Sequence, residues 1–121
     1  MNARTAYVLV LLGLAACAPA NLAPTDRGYQ LLDAGRYREA RDALAAELKH
    51  DPHNPYIELN LAAAEQELGH IDQAAALYRR AIADGRDIVP KVASDPNEAG
   101  MTLSDVACTN LRAALHDKYA C

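Results

Sequence analysis

Apolar residues recur three and four apart in four successive stretches of this chain, and glycine or proline separates each stretch from the next. The first holds Leu31 and Leu32. Tyr37, Ala40, Leu44 and Leu48 follow, then Ile57, Leu61, Ala64 and Leu68, then Ile71, Ala74, Leu77, Tyr78, Ala81 and Ile82. That spacing puts an apolar stripe on one side of a helix. It predicts helices over residues 24–34, 37–50, 55–68 and 71–84. Asp51 precedes Pro52 and so closes the second helix, because the proline ring excludes the helical conformation from the residue before it. Residues 85–100 break the pattern with Gly85, Pro90, Pro96 and Gly100, and Ile88, Val89, Pro90 and Val92 are placed to clip onto the preceding hairpin. A last helix opens at Thr102-Leu103-Ser104-Asp105 and carries Leu103, Val106, Ala107, Leu111, Ala114 and Leu115. Thr102 or Ser104 supplies its cap, with Asp105 favourable at the positive end of the helix dipole.

Composition sharpens this to an all-α chain. Of 121 residues 51% are hydrophobic, yet there is no Trp or Phe and there are six Tyr. Alanine and leucine make up most of that apolar mass, as in close-packed helices rather than strands. Twelve Lys+Arg against 16 Asp+Glu give a net charge of −4. An acidic balance excludes a nucleic-acid partner, which needs a clustered basic face.

The N-terminal stretch reads as an address. Asn2-Ala3-Arg4-Thr5 precedes an apolar run from Ala6 to Leu14, then Ala15 and Ala16. The run is too short for a membrane-spanning helix, which needs about 20 residues, and fits the apolar region of a secretory signal. Leu14-Ala15-Ala16-Cys17 resembles a bacterial lipobox. The resemblance implies cleavage of residues 1–16, lipidation of Cys17 and anchoring by several acyl chains. Ala18 after the cysteine resembles the sorting pattern for the outer membrane, so the implied location is the periplasmic face of that membrane, rather than the inner one. Residues 17–24 hold two prolines and read as an extended tether. Losing Arg4 with the leader leaves 11 positive and 16 negative charges.

An internal period lies beneath the helices. At an offset of 34, Gly35 falls on Gly69, Arg36 on His70, Tyr37 on Ile71, Glu39 on Gln73, Ala40 on Ala74, Leu44 on Tyr78 and Leu48 on Ile82. The shared unit is a C-cap glycine, a short turn and a second helix whose small Ala admits a close neighbour. The period and the turn Asp51-Pro52-His53-Asn54 resemble the tetratricopeptide repeat. The resemblance covers residues 22–85 and implies two helix-turn-helix repeats over 25–85. Arg27, Glu58 and Glu65 depart from it, standing where the family has an apolar residue, an early aromatic and a mid-helix Tyr, and no Pro closes the second repeat. Residues 86–101 then form a linker, and 102–121 a capping helix and tail that cover the second repeat, since stacked units need an end cap.

With Cys17 assigned to lipid, Cys108 and Cys121 remain as a pair in an oxidising compartment. A continuous helix would hold them about 20 Å apart, so a bond between them requires the helix to stop near Asp117 and the tail to fold back. A free or intermolecular thiol at Cys121 is the other reading.

The sequence offers little chemistry. His50 and His53 flank Asp51-Pro52 without a further Cys or His nearby, so no metal site is assigned. Glu65 with Glu67, and Asp84 with Asp87, read as solvated surface. There is no phosphate loop, nucleophile motif or Cys-x-x-Cys pair. The expectation is a non-enzyme without cofactor.

The family resemblance implies a groove lined by the first helix of each repeat: Tyr29, Leu32 and Asp33 from one, and Tyr56, Leu59, Asn60, Ala63, Gln66 and Glu67 from the other. Asn60 matches the position that often binds ligand backbone. Thr25 stands where the family's carboxylate clamp has a lysine, which excludes that ligand mode. Two functions follow as expectations. One is a non-catalytic adaptor for a protein or peptide partner in pilus, secretion or outer-membrane assembly. The other is a structural lipoprotein that self-associates as a homodimer.

Overall fold

The computed structural model describes residues 24–91 and 96–121. The leader, Cys17 and the tether up to residue 23 lie outside the described residues, as does Val92. Among the described residues five α-helices follow one another: α1 (Pro24–Asp33), α2 (Tyr37–His50), α3 (Pro55–Glu67), α4 (Ile71–Asp84) and α5 (Leu103–Leu115), with a 3-10 turn at Pro96–Glu98 between α4 and α5. The described residues contain no strand, so the all-α expectation holds. α1 and α3 each stop one residue short of the expected end.

Those two ends show how closely the repeats copy each other. Gly35 and Gly69 take φ of 71° and 81°, the left-handed region that a side chain disfavours. Gly35 N–H donates to Leu32 O at 2.9 Å and Arg36 N–H to Leu31 O at 2.8 Å, and 34 positions on Gly69 donates to Gln66 O and His70 to Glu65 O, both at 2.9 Å. This reversal satisfies carbonyls that a helix end leaves without partners. The α2–α3 turn is fixed differently. Asn54 Oδ1 accepts from Tyr56 N–H at 3.0 Å and Ile57 N–H at 3.4 Å, and Pro55 fills the first helical position.

Packing divides into two linked clusters. Ala40, Leu44, Ile57, Leu61 and Ala64 join α2 to α3, with Leu31 and Leu32 of α1 against them. Ala62, Ala74, Ala75, Tyr78, Ala81, Ala107, Leu111 and Ala114 join α3, α4 and α5. The helices approach where residues are small. A Cβ on Gly28 would stand 2.3 Å from Leu44 Cδ2, so a larger residue at this crossing of α1 and α2 requires the buried Leu44 side chain to move.

α5 does more than cap. It packs mainly on α4 and secondarily on α3, and among the helices that precede it α3 likewise packs more on α2 than on α1. Its buried Leu103, Val106 and Ala107 repeat the burial of Glu58, Leu61 and Ala62 on α3. α5 therefore packs as the first helix of a third repeat. Ala107 lies 45 positions after Ala62 rather than 34, so the connection carries the extra residues and hides the register from a search at fixed period. Ile88 is tied to α5 rather than to the preceding hairpin, its carbonyl accepting Leu103 N–H at 2.8 Å, and Val89 is half exposed.

Thr102, not Ser104, caps α5. Its hydroxyl accepts Asp105 N–H at 3.1 Å while Asp105 Oδ2 accepts Thr102 N–H, also at 3.1 Å. α5 ends at Leu115, two residues before the expected stop, with His116 at φ 52° turning the tail back. Cys108 and Cys121 are joined, their Cα atoms 5.9 Å apart.

Candidate partner-binding face

α3 is central, and α1, α2, α4 and α5 all pack on it. Little of it stays open: Tyr56 and Glu67 are exposed, and Asn60 and Ala63 half-buried. Their spacing of four, three and four residues makes one stripe along the helix. On α1 the exposed Tyr29 and Asp33 are four apart and form the matching strip. Two tyrosines, 43% and 38% exposed, thus stand on neighbouring first helices beside two carboxylates and one amide.

Three of the nine groove residues have other work. Leu32 packs against the α2–α3 cluster and Leu59 against the α3–α4–α5 cluster. Gln66 Oε1 accepts the Tyr78 hydroxyl at 2.8 Å. Burial, with the Glu67 charge behind it, raises the Tyr78 pKa and keeps it a donor. By register, Cys108 on α5 corresponds to Ala63 on α3, so the disulfide fastens the C-terminal tail at the α5 end of the stripe.

A second constellation lies where the start of α3 meets the end of α4, and it joins Glu58 to His53 and Asp84, which the sequence places in separate pairs. Glu58 is fully buried at the start of α3. Arg80 Nη2 stands 2.9 Å from its Oε1 as an ion pair and also donates to Pro52 O. Neither Glu58 oxygen receives a hydrogen bond of good geometry. Burial raises the Glu58 pKa to about 7; the Asp84 charge adds to the rise and Arg80 opposes it. The exposed His53 ring reaches Asp84 Oδ2 through Nδ1 at 3.2 Å. One donor atom each from His53, Glu58 and Asp84 lies within 4.8 Å of the other two. His50 is outside this group.

The reading of the acidic pairs as solvated surface holds for the exposed Glu67 and Asp87 and is corrected for Asp84 and Glu65. Asp84 is tied to His53, and Glu65, with its side chain 14% exposed, pairs with His70 Nδ1. The sequence signal that was present is the departure at Glu58: a charge where the repeat pattern buries an aromatic must find partners among its neighbours.

The repeat geometry has a direct counterpart among known families. The family described as Tetratricopeptide repeat matches residues 31–94, more than half of the chain. The chain belongs to the tetratricopeptide repeat family. Tetratricopeptide repeats generally mediate protein–protein interaction as non-catalytic scaffolds. No curated protein and no solved structure matches the chain. The matched segment stops before α5, so the repeat-like placement of that helix is visible through its packing rather than through the family pattern.

Proposed function

We propose that this tetratricopeptide repeat protein is a lipid-anchored scaffold of the bacterial envelope, which holds a protein partner against the Tyr29–Tyr56 face. The observation that carries the reading is the open stripe Tyr56–Asn60–Ala63–Glu67 beside Tyr29 and Asp33. The otherwise enclosed α3 leaves Tyr56 and the Asn60 amide accessible and α1 adds Tyr29, the combination that interfaces favour. Asp33 and Glu67 suit a partner segment with basic residues at its ends. The lipid anchor rests on the Leu14-Ala15-Ala16-Cys17 pattern behind its apolar leader. Among the described residues no helix is long and apolar enough to cross a membrane, so attachment through Cys17 is the proposed route, on the periplasmic face of the outer membrane. Service in pilus, secretion or outer-membrane assembly belongs to the same proposal.

Self-association is the weaker reading on two counts. The outward side of α5 exposes Asp105, Thr109, Arg112 and Ala113, a polar surface of the kind that ends a stack. The Cys108–Cys121 bond occupies the thiol that a covalent dimer would need.

The test is purification from membranes in mild detergent, comparing wild type with a Tyr29→Ala/Tyr56→Ala variant whose helical content matches. A specific partner recovered with wild type and lost with the variant supports the reading. Equal recovery with both, or a concentration-dependent homodimer alone, contradicts it.

A further inference from the structure

The geometry points to a divalent-cation site formed by His53, Glu58 and Asp84, which fastens the α2–α3 turn and the start of α3 to the end of α4. The carboxylates of Glu58 and Asp84 share one guanidinium and one exposed imidazole, and neither oxygen of the buried Glu58 receives a hydrogen bond of good geometry. A carboxylate withdrawn from water in this way is costly unless a cation or proton meets it. Arg80 lies to one side, its Nη2 shared between Glu58 Oε1 and Pro52 O.

The spacing suits a metal. Ligands about 2.0–2.2 Å from a tetrahedral ion stand roughly 3.3–3.6 Å apart. His53 Nδ1 and Asp84 Oδ2 are 3.2 Å apart, and the whole set spans no more than 4.8 Å. The His53 side chain is 83% exposed, so its ring turns toward an arriving ion without disturbing the core, while Glu58 is held by the helix packing around it. The three elements that supply the donors are already fixed by Asn54, Pro55 and the α3–α4 packing, so little ordering remains for the ion to impose.

Donor chemistry sets the class of ion. One imidazole nitrogen with two carboxylate oxygens suits a borderline first-row dication such as zinc, whereas calcium prefers six or more oxygens. Three protein ligands leave a position for water on the solvent side of His53. The bound ion acts as a structural clasp. It closes the turn that joins the two repeats and neutralises the buried end of α3.

Zinc chloride titrated calorimetrically into the full chain, purified in mild detergent near neutral pH, tests this. The expected result is a single zinc bound, with affinity falling about tenfold or more in His53→Ala and in Asp84→Asn. Both substitutions lie at the rim, and circular dichroism verifies the fold. His50→Ala, two turn residues away, leaves binding unchanged. Zinc also raises the melting temperature of wild type and not that of His53→Ala. Absence of zinc binding overturns the proposal, as does binding of equal strength in His53→Ala and Asp84→Asn.

Discussion

Glu58 stands where the repeat pattern places an aromatic ring, and burial is the largest cause of its behaviour. Desolvation disfavours the charged carboxylate, Asp84 adds repulsion and Arg80 offsets part of both, which lifts the pKa from 4.5 to about 7. The folded chain therefore binds more protons than the unfolded chain between those two values. The stabilising contribution is complete below pH 4.5 and is lost as pH rises through about 7. At about 1.4 kcal/mol per unit the loss is on the order of 3 kcal/mol. Denaturant unfolding of chelator-treated protein across that window will show wild-type stability declining relative to Glu58→Gln. Parallel profiles for the two would contradict this account. Gly85 gives a second test at the same scale. A Cβ there would lie 2.7 Å from Leu103 Cβ, 2.8 Å from Ala81 O and 3.0 Å from Ser104 N, two of them backbone atoms that cannot swing aside. Gly85→Ala will therefore destabilise by about 1–3 kcal/mol, against the gain that glycine replacement ordinarily brings by restricting the unfolded chain. An unchanged or raised melting temperature would show that the α4–α5 junction is looser than described.

At the level of elements, the four hairpin helices were legible because three signals agreed. Periodic apolar positions marked the faces, Gly35 and Gly69 marked two ends, and Pro52 and Pro55 bracketed the turn between repeats. α5 was legible as a helix but not as the start of a third repeat. The residues inserted between Gly85 and Met101 shift its register, and the relation appears only when Ala107 is seen packing as Ala62 does. The His53–Glu58–Asp84 group was illegible for a related reason. A charged residue in an early helical turn looks solvent-facing until the far end of another helix, 26 positions later, is brought over it. Two devices hold α5. Its capping box draws the Asp105 pKa below the usual carboxylate range through hydrogen bonds from Thr102. Thr102→Ala should cost about 1 kcal/mol, measurable as a lower urea midpoint. The Cys108–Cys121 bond, across a sequence separation of 13, should contribute about 3 kcal/mol on the loop-entropy account. Cys121→Ser should accordingly lower the melting temperature under oxidising conditions and abolish the effect of added reductant. A reductant effect that persists in Cys121→Ser would mean that the tail is not held by this bond.

For the whole molecule, first helices stack in the order α1, α3, α5 and second helices α2 and α4 back them, so the accessible stripe runs across the first helices. The family and its general role were legible from the 34-residue period. The groove was legible only in part, since Leu32, Leu59 and Gln66 are claimed by packing or by Tyr78, which no position in a repeat pattern reveals. Photo-crosslinking in living cells tests the central claim, with probes placed at Tyr29 and Tyr56 on the stripe and at the exposed Arg79 on α4. A discrete heavier species from the stripe positions and none from Arg79, identified by mass spectrometry as a protein other than this chain, is the predicted result. Crosslinks from Arg79 alone, or only a species at twice the monomer mass, would contradict the assignment of a partner to this face.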